Sequence, residues 1–95
     1  MRADYIRTTI DRVLCTAPVL LHSVILTPYN TSKRAIITFY DGESAQDDQL
    51  IKLLGSYGSS IQFTFNPPLE TERGLFVDVV ENVGDILVCF AWVNE

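Results

Sequence analysis

The sequence predicts an all-β, antiparallel sandwich, and three observations carry that prediction. Apolar stretches alternate with turn signals at short intervals along the whole chain, which is the pattern of a sandwich or barrel and not of strand–helix–strand units. One stretch, residues 59–65, alternates cleanly, with Ile61, Phe63 and Phe65 on one face and Ser60, Gln62 and Thr64 on the other. Residues suited to tight turns punctuate the chain at Asp41-Gly42, Pro67-Pro68 and Asn82-Val83-Gly84-Asp85. Ninety-five residues suffice for one core. The expected architecture is a single pair of layers with about six to eight strands, jelly-roll-like or immunoglobulin-like.

The elements follow in order. Residues 5–10 alternate weakly, and residues 12–17 continue the pattern after the charged pair Asp11 and Arg12, until Pro18 fixes φ and offers no amide donor. Residues 19–28 mix a continuous apolar run with an alternating end, as a central strand covered on both faces does. Residues 29–33 are a polar connection and 34–40 a β-branched and aromatic strand, and together with 19–28 they read as a hairpin. Asp41-Gly42 ends that strand, and residues 43–48 form a small acidic, solvated loop. In residues 49–54, Leu50, Leu53 and Leu54 have helical spacing, but the segment is short and Gly55 stops it, so a strand is preferred. Pro67-Pro68 forces a turn or an edge position. Residues 74–80 and 86–93, joined through 82–85, read as a closing hairpin. Val24, Leu26, Ile37, Phe39, Phe63, Phe65, Leu75, Val77, Leu87 and Cys89 are the expected core. Residues 1–12 form an N-terminal arm or a first strand, and 13–95 the sandwich domain.

Composition excludes several function classes. Hydrophobic residues make up 47% of the chain and charged residues 20%, so it is expected to fold. Seven Lys plus Arg against twelve Asp plus Glu give a net charge of -5, the wrong sign for a phosphate-backbone binder, and no nucleic-acid partner is expected. The N-terminus is charged throughout and lacks the apolar stretch of a signal peptide, so the chain is expected to stay in the cytoplasm where it is made. The longest apolar run, near residues 17–27, is broken by Pro18, His22 and Ser23 and falls short of the ~20 residues that cross a bilayer, so no membrane span is expected.

The residues that carry chemistry are few. Cys15 and Cys89 each lie in an apolar stretch where a free thiol acts as a small core hydrophobe; a bridge between them in an oxidising medium stays open if the first and last strands pair. His22, the single histidine, lies in an apolar strand and reads as a core or edge residue. Cys15 with His22 is the one Cys-His arrangement available, and no Asn or Asp is placed to complete it. Two thiols and one distant His lack the spacing of a zinc site. Asp41, Glu43, Asp47 and Asp48 do not follow the ligand spacing of an EF-hand. Gly42, Gly55, Gly58, Gly74 and Gly84 belong to separate turns, not to a phosphate-cradling loop. No catalytic residue, metal or cofactor is therefore expected. Val88, Phe90 and Trp92 share one face as an apolar stripe, either core or in contact with another subunit.

Four segments carry a family resemblance: Val19-Leu20-Leu21-His22-Ser23-Val24-Ile25-Leu26, Ala35-Ile36-Ile37-Thr38-Phe39-Tyr40-Asp41-Gly42-Glu43-Ser44-Ala45, Gly74-Leu75-Phe76-Val77-Asp78 and Asp85-Ile86-Leu87-Val88-Cys89-Phe90. In this order of strands and turns the chain resembles small β-sandwich proteins encoded among the structural genes of tailed bacteriophages. Phe76 stands where tyrosine is commoner in that group, the segment 49–54 is more polar and leucine-rich, and residues 1–12 are unmatched. The resemblance implies a non-enzymatic virion protein, made in the host cytoplasm and carried in the virion. It would be a capsid decoration, head-fibre or neck and tail component whose partners are the major capsid protein or other neck and tail proteins. Sheet edges and apolar stripes that repeated copies cover also point to a homo-oligomer. The alternatives are a carbohydrate- or host-surface-binding module, with exposed aromatic rings beside acidic loop residues, and a small hydrolase using Cys15 and His22.

The unmatched N-terminal segment holds three of the seven basic residues, and its apolar positions are few. It reads either as an arm that docks on a neighbouring subunit by adding a strand to an open edge or as the first strand of its own sandwich. The interface candidates are Tyr5, Ile6, Arg7, Ile10, Arg12 and Trp92.

Overall fold

Strand pairing follows the path of one long hairpin. The structure, a computed structural model, describes residues 3–93, and within them β1 (Ala3–Thr8) pairs with β8 (Val83–Trp92), β2 (Arg12–Cys15) with β7 (Leu75–Glu81), β3 (Val19–Pro28) with β6 (Ile61–Glu70) and β4 (Ile36–Asp41) with β5 (Asp48–Leu54), all antiparallel. Two further pairings, β3 with β8 and β4 with β7, roll this hairpin into two four-stranded sheets of order β1-β8-β3-β6 and β2-β7-β4-β5. The sandwich expected from sequence is thus present, and its strand order is that of the jelly roll and not of the immunoglobulin fold. Among the described residues there is no helix.

Rolling a hairpin places consecutive strands in opposite sheets everywhere except at its tip. The acidic loop between β4 and β5 is that tip, and these two strands are the sequence-adjacent pair that hydrogen-bonds. The two hairpins expected from sequence, 19–28 with 34–40 and 74–80 with the last strand, are instead crossovers between the sheets. Turn residues mark where a chain reverses, but not which sheet receives it. Asn82 makes the second crossover in one residue, at a φ of 54° that asparagine tolerates better than most side chains. Its side chain also fastens the first crossover: Nδ2 donates to the carbonyls of Asn30 and Lys33, both at 3.0 Å, and Oδ1 accepts from the Asn30 amide at 2.9 Å.

The core lies between the layers. Val24, Leu26, Ile37, Phe39, Leu75 and Val77 are buried there, joined by Val19, Leu21, Ile86, Val88 and Phe90. Phe63 and Phe65 pack on it half-buried, because β6 is an edge strand. Leu87 and Cys89 depart from expectation. On β8 it is Ile86, Val88 and Phe90 that point inward, while Leu87 and Cys89 face outward opposite Ile25 and Ser23. Residues 86–92 are apolar at every position, so alternation carries no phase there. Register sets it instead, through a bulge in which Pro28 opposes Val83 and Thr27 opposes Asp85, leaving Gly84 as the extra residue.

Two other irregularities explain sequence features. β5 is a strand with a register shift between Phe39 opposite Ile51 and Tyr40 opposite Gln49, so Leu50 is an inserted residue. That insertion gives a strand the leucine spacing of a helix. Pro67 and Pro68 run along the outer edge of β6, after a cis Asn66-Pro67 bond and a register shift against Leu21 and Ser23. Edge strands can spare the missing amide donors.

Close backbone approach fixes one glycine. A Cβ on Gly74 would sit 2.5 Å from the carbonyl oxygen of Cys15 and 3.1 Å from that of Gly42. Neither oxygen can rotate away. Gly74→Ala is therefore expected to cost about 1–3 kcal/mol, as overpacking does; urea denaturation of both proteins measures it, and an unchanged midpoint would show that the β2–β7 seam yields.

Candidate interaction face

The strand period of two that fills the core also builds two outer faces. On the second sheet the outward side chains fall in three rows across the strands. Val13, Phe76 and Tyr40 are cross-strand neighbours in the first row, with the rings of Tyr40 and Phe76 6.3 Å apart. Asp78, Thr38 and Lys52 form the second row, with Thr38 itself buried, 4% exposed, in its middle. The third joins Ile36 and Leu54 to Val80, which sits at a bulge in β7. Leu54 and Val80 are 47% and 50% exposed, high for large aliphatic residues. Two apolar rows thus flank a polar one on the outside of a four-stranded sheet.

The outer face of the first sheet is more polar. Tyr5, Cys89, Ser23 and Thr64 form one row and Arg7, Leu87, Ile25 and Gln62 the next. Its polar groups pair with one another: Arg7 Nε lies 3.2 Å from Asp85, the Thr27 and Ser60 hydroxyls share a 2.6 Å hydrogen bond, and Gln62 Nε2 donates to Thr64. A hydrogen bond to the Cys89 thiol, chiefly, holds the Tyr5 hydroxyl above its ordinary range.

The six interface candidates do not gather on one face. Residues 3–8 are a strand of the chain's own sheet, in register with β8 from Ala3 opposite Ala91 to Thr8 opposite Ile86. Tyr5 and Arg7 point outward on it, and Tyr5 is 67% exposed. Ile6 faces inward and packs on the core. Ile10, 66% exposed, and Arg12 lie on and just after the β1–β2 connection. Trp92 belongs to the inner face, edge-on to Phe90 at 5.4 Å, with its indole N–H donating to Asp4 at 3.0 Å. That bond ties β8 to β1.

Asp41, Asp47 and Arg73, at or beside the hairpin tip, hold loops together. Asp47 Oδ2 accepts from the amides of Glu43 and Ser44 at 2.9 and 3.2 Å, and Arg73 bridges Asp47 and Asp48. The Glu43 amide above all, then those of Ser44 and the Arg73 guanidinium, hold the Asp47 carboxyl below the usual carboxylate range. Asp41 accepts from the amides of Glu72 and Arg73, fastening the β6–β7 connection to the tip. Beside the polar row of the second sheet, Asp11 accepts from the Val79 amide at 2.6 Å, and burial together with the Asp11 charge raises the Asp78 carboxyl.

Cys15 and His22 lie in different sheets, and both cysteines are free. Burial, aided by the charge of Asp4, pushes the Cys15 thiol up to about 12. Among the described residues no group of three or more His, Cys, Asp or Glu side chains is arranged to hold a metal ion. No family model, curated protein or solved structure matches the chain.

Proposed function

We propose that this chain is a non-enzymatic structural protein of a bacteriophage particle, a capsid decoration or neck and tail component that binds copies of itself and other virion proteins. The supporting observation is the outer face of the second sheet, where Val13, Ile36, Tyr40, Leu54, Phe76 and Val80, drawn from four strands, point away from the chain's own core. A face of this kind gains free energy when another protein surface covers it. The jelly roll adds a fold-level analogy, since it recurs in viral capsid proteins and in lectins.

A carbohydrate-binding reading calls for exposed rings next to the acidic loop. The exposed Tyr29 and Tyr57 lie on connections near the end of the β4–β5 hairpin where Ile36 opposes Leu54, and the acidic loop is at the other end, where Asp41 opposes Asp48. That separation favours protein partners. Mass spectrometry of purified particles is the test: the chain is expected there in many copies, and its absence from particles would remove the virion reading.

A further inference from the structure

The arrangement of charge on the outer face of the second sheet names a partner and an orientation. We infer that a second copy of this chain covers that face through a two-fold axis running along β4. This rests on the assembly reading above and adds the surface and the symmetry.

The polar row is ordered across the sheet, with the carboxylate of Asp78 on β7, Thr38 on β4 and the ammonium of Lys52 on β5. Among the described residues Lys52 has no ion pair, nor have Arg12, Lys33 and Arg34, whereas Arg7 has one and Arg73 two. A two-fold axis lying in the face, parallel to the strands and over Thr38, keeps each row on its own copy and reverses its lateral order. Asp78 of one chain then faces Lys52 of the other, twice. Tyr40 then meets Tyr40 and Ile36 meets Ile36, with Leu54 against Val80 and Phe76 against the aliphatic stem of Gln49. An axis perpendicular to the strands would keep the lateral order and set Lys52 on Lys52 and Asp78 on Asp78, like charge on like charge, which is strongly disfavoured at a closed interface. Either axis leaves the strands of the two sheets aligned, about 30° apart, as two twisted sheets pack face to face, so the order of charge is what separates the two. Such an isologous contact closes on itself and covers the apolar positions on β4, β5 and β7, leaving Val13 on β2 outside it.

The test is a charge swap divided between two chains, read by sedimentation equilibrium, with circular dichroism as the check on folding. Wild type is expected to be a dimer at about 100 µM. Lys52→Asp and Asp78→Lys are each expected to weaken self-association at least about tenfold, because each sets like charges opposite each other. Mixed together, the two variants are expected to form a dimer again, since every facing pair is then acid with base. An interaction inside one chain cannot produce that rescue. If Asp78→Lys does not fold, Leu54→Glu, at an exposed site on the same face, gives the second reading and is expected to be monomeric. A monomeric wild type, a variant that dimerises as wild type does, or a mixture that stays monomeric overturns the inference. A monomeric wild type that is nevertheless found in particles overturns this pairing and leaves the assembly reading standing.

Discussion

Phe90→Ala is expected to cost about 3–5 kcal/mol of folding free energy, the usual range for deleting a buried aromatic ring. Leu87→Ala and Cys89→Ala, on the same strand, are expected to cost about 1 kcal/mol or less. Phe90 is buried between the sheets, stacked edge-on by Trp92, whereas Leu87 and Cys89 face outward and are half-buried. Domains of this size hold roughly 5–15 kcal/mol in total, so the first substitution takes the protein close to its unfolding threshold and the other two do not. Urea denaturation of the three variants, with the slope compared as well as the midpoint, decides the matter. Equal losses at positions 89 and 90 would mean that β8 presents no distinct inner face.

That contrast also marks the limit of what the sequence carries. Where polar and apolar residues alternate, as in residues 59–65, the inward face was legible: Ile61, Phe63 and Phe65 do pack on the core. The same holds for Val24, Leu26, Ile37, Phe39, Leu75 and Val77. On β8 every position from 86 to 92 is apolar, and a one-residue bulge at Gly84 chose the phase. The sheet that receives each strand was likewise hidden, because Asn30 and Asn82 announce turns while the crossover they form is held by bonds between residues some fifty positions apart. The candidate face lies one step further on. Val13, Tyr40, Leu54 and Phe76 come from four strands and become neighbours through register alone. No short motif could have gathered them. A rule that outward positions of central strands are polar would have flagged Phe76 and Tyr40, had the strand order been known.

Deleting residues 3–8 is expected to abolish the cooperative fold, although in the sequence residues 1–12 read equally as a docking arm or as the first strand of the sandwich. Six residues of β1 pair with β8, Ile6 packs on the core, Thr8 is buried, and Asp4 accepts the indole N–H of Trp92. Without them the ten-residue β8 becomes an edge strand, long and apolar, and the inner surface beneath Ile6 is open to water. Long apolar edges recruit other chains. The truncated protein is therefore expected to aggregate or to lose its unfolding transition in circular dichroism and calorimetry. A soluble product with the parent's melting temperature would show that β1 adds nothing to the sandwich. A failure to assemble after such a deletion would reveal nothing about docking, because the fold is lost first. Exposed positions on the segment and on the connection that follows it give the separate measurement. Tyr5→Ser and Ile10→Ser, at residues 67% and 66% exposed, are expected to shift stability by no more than about 0.5 kcal/mol. Any loss of particle incorporation in those two proteins would then be a loss of contact with a partner.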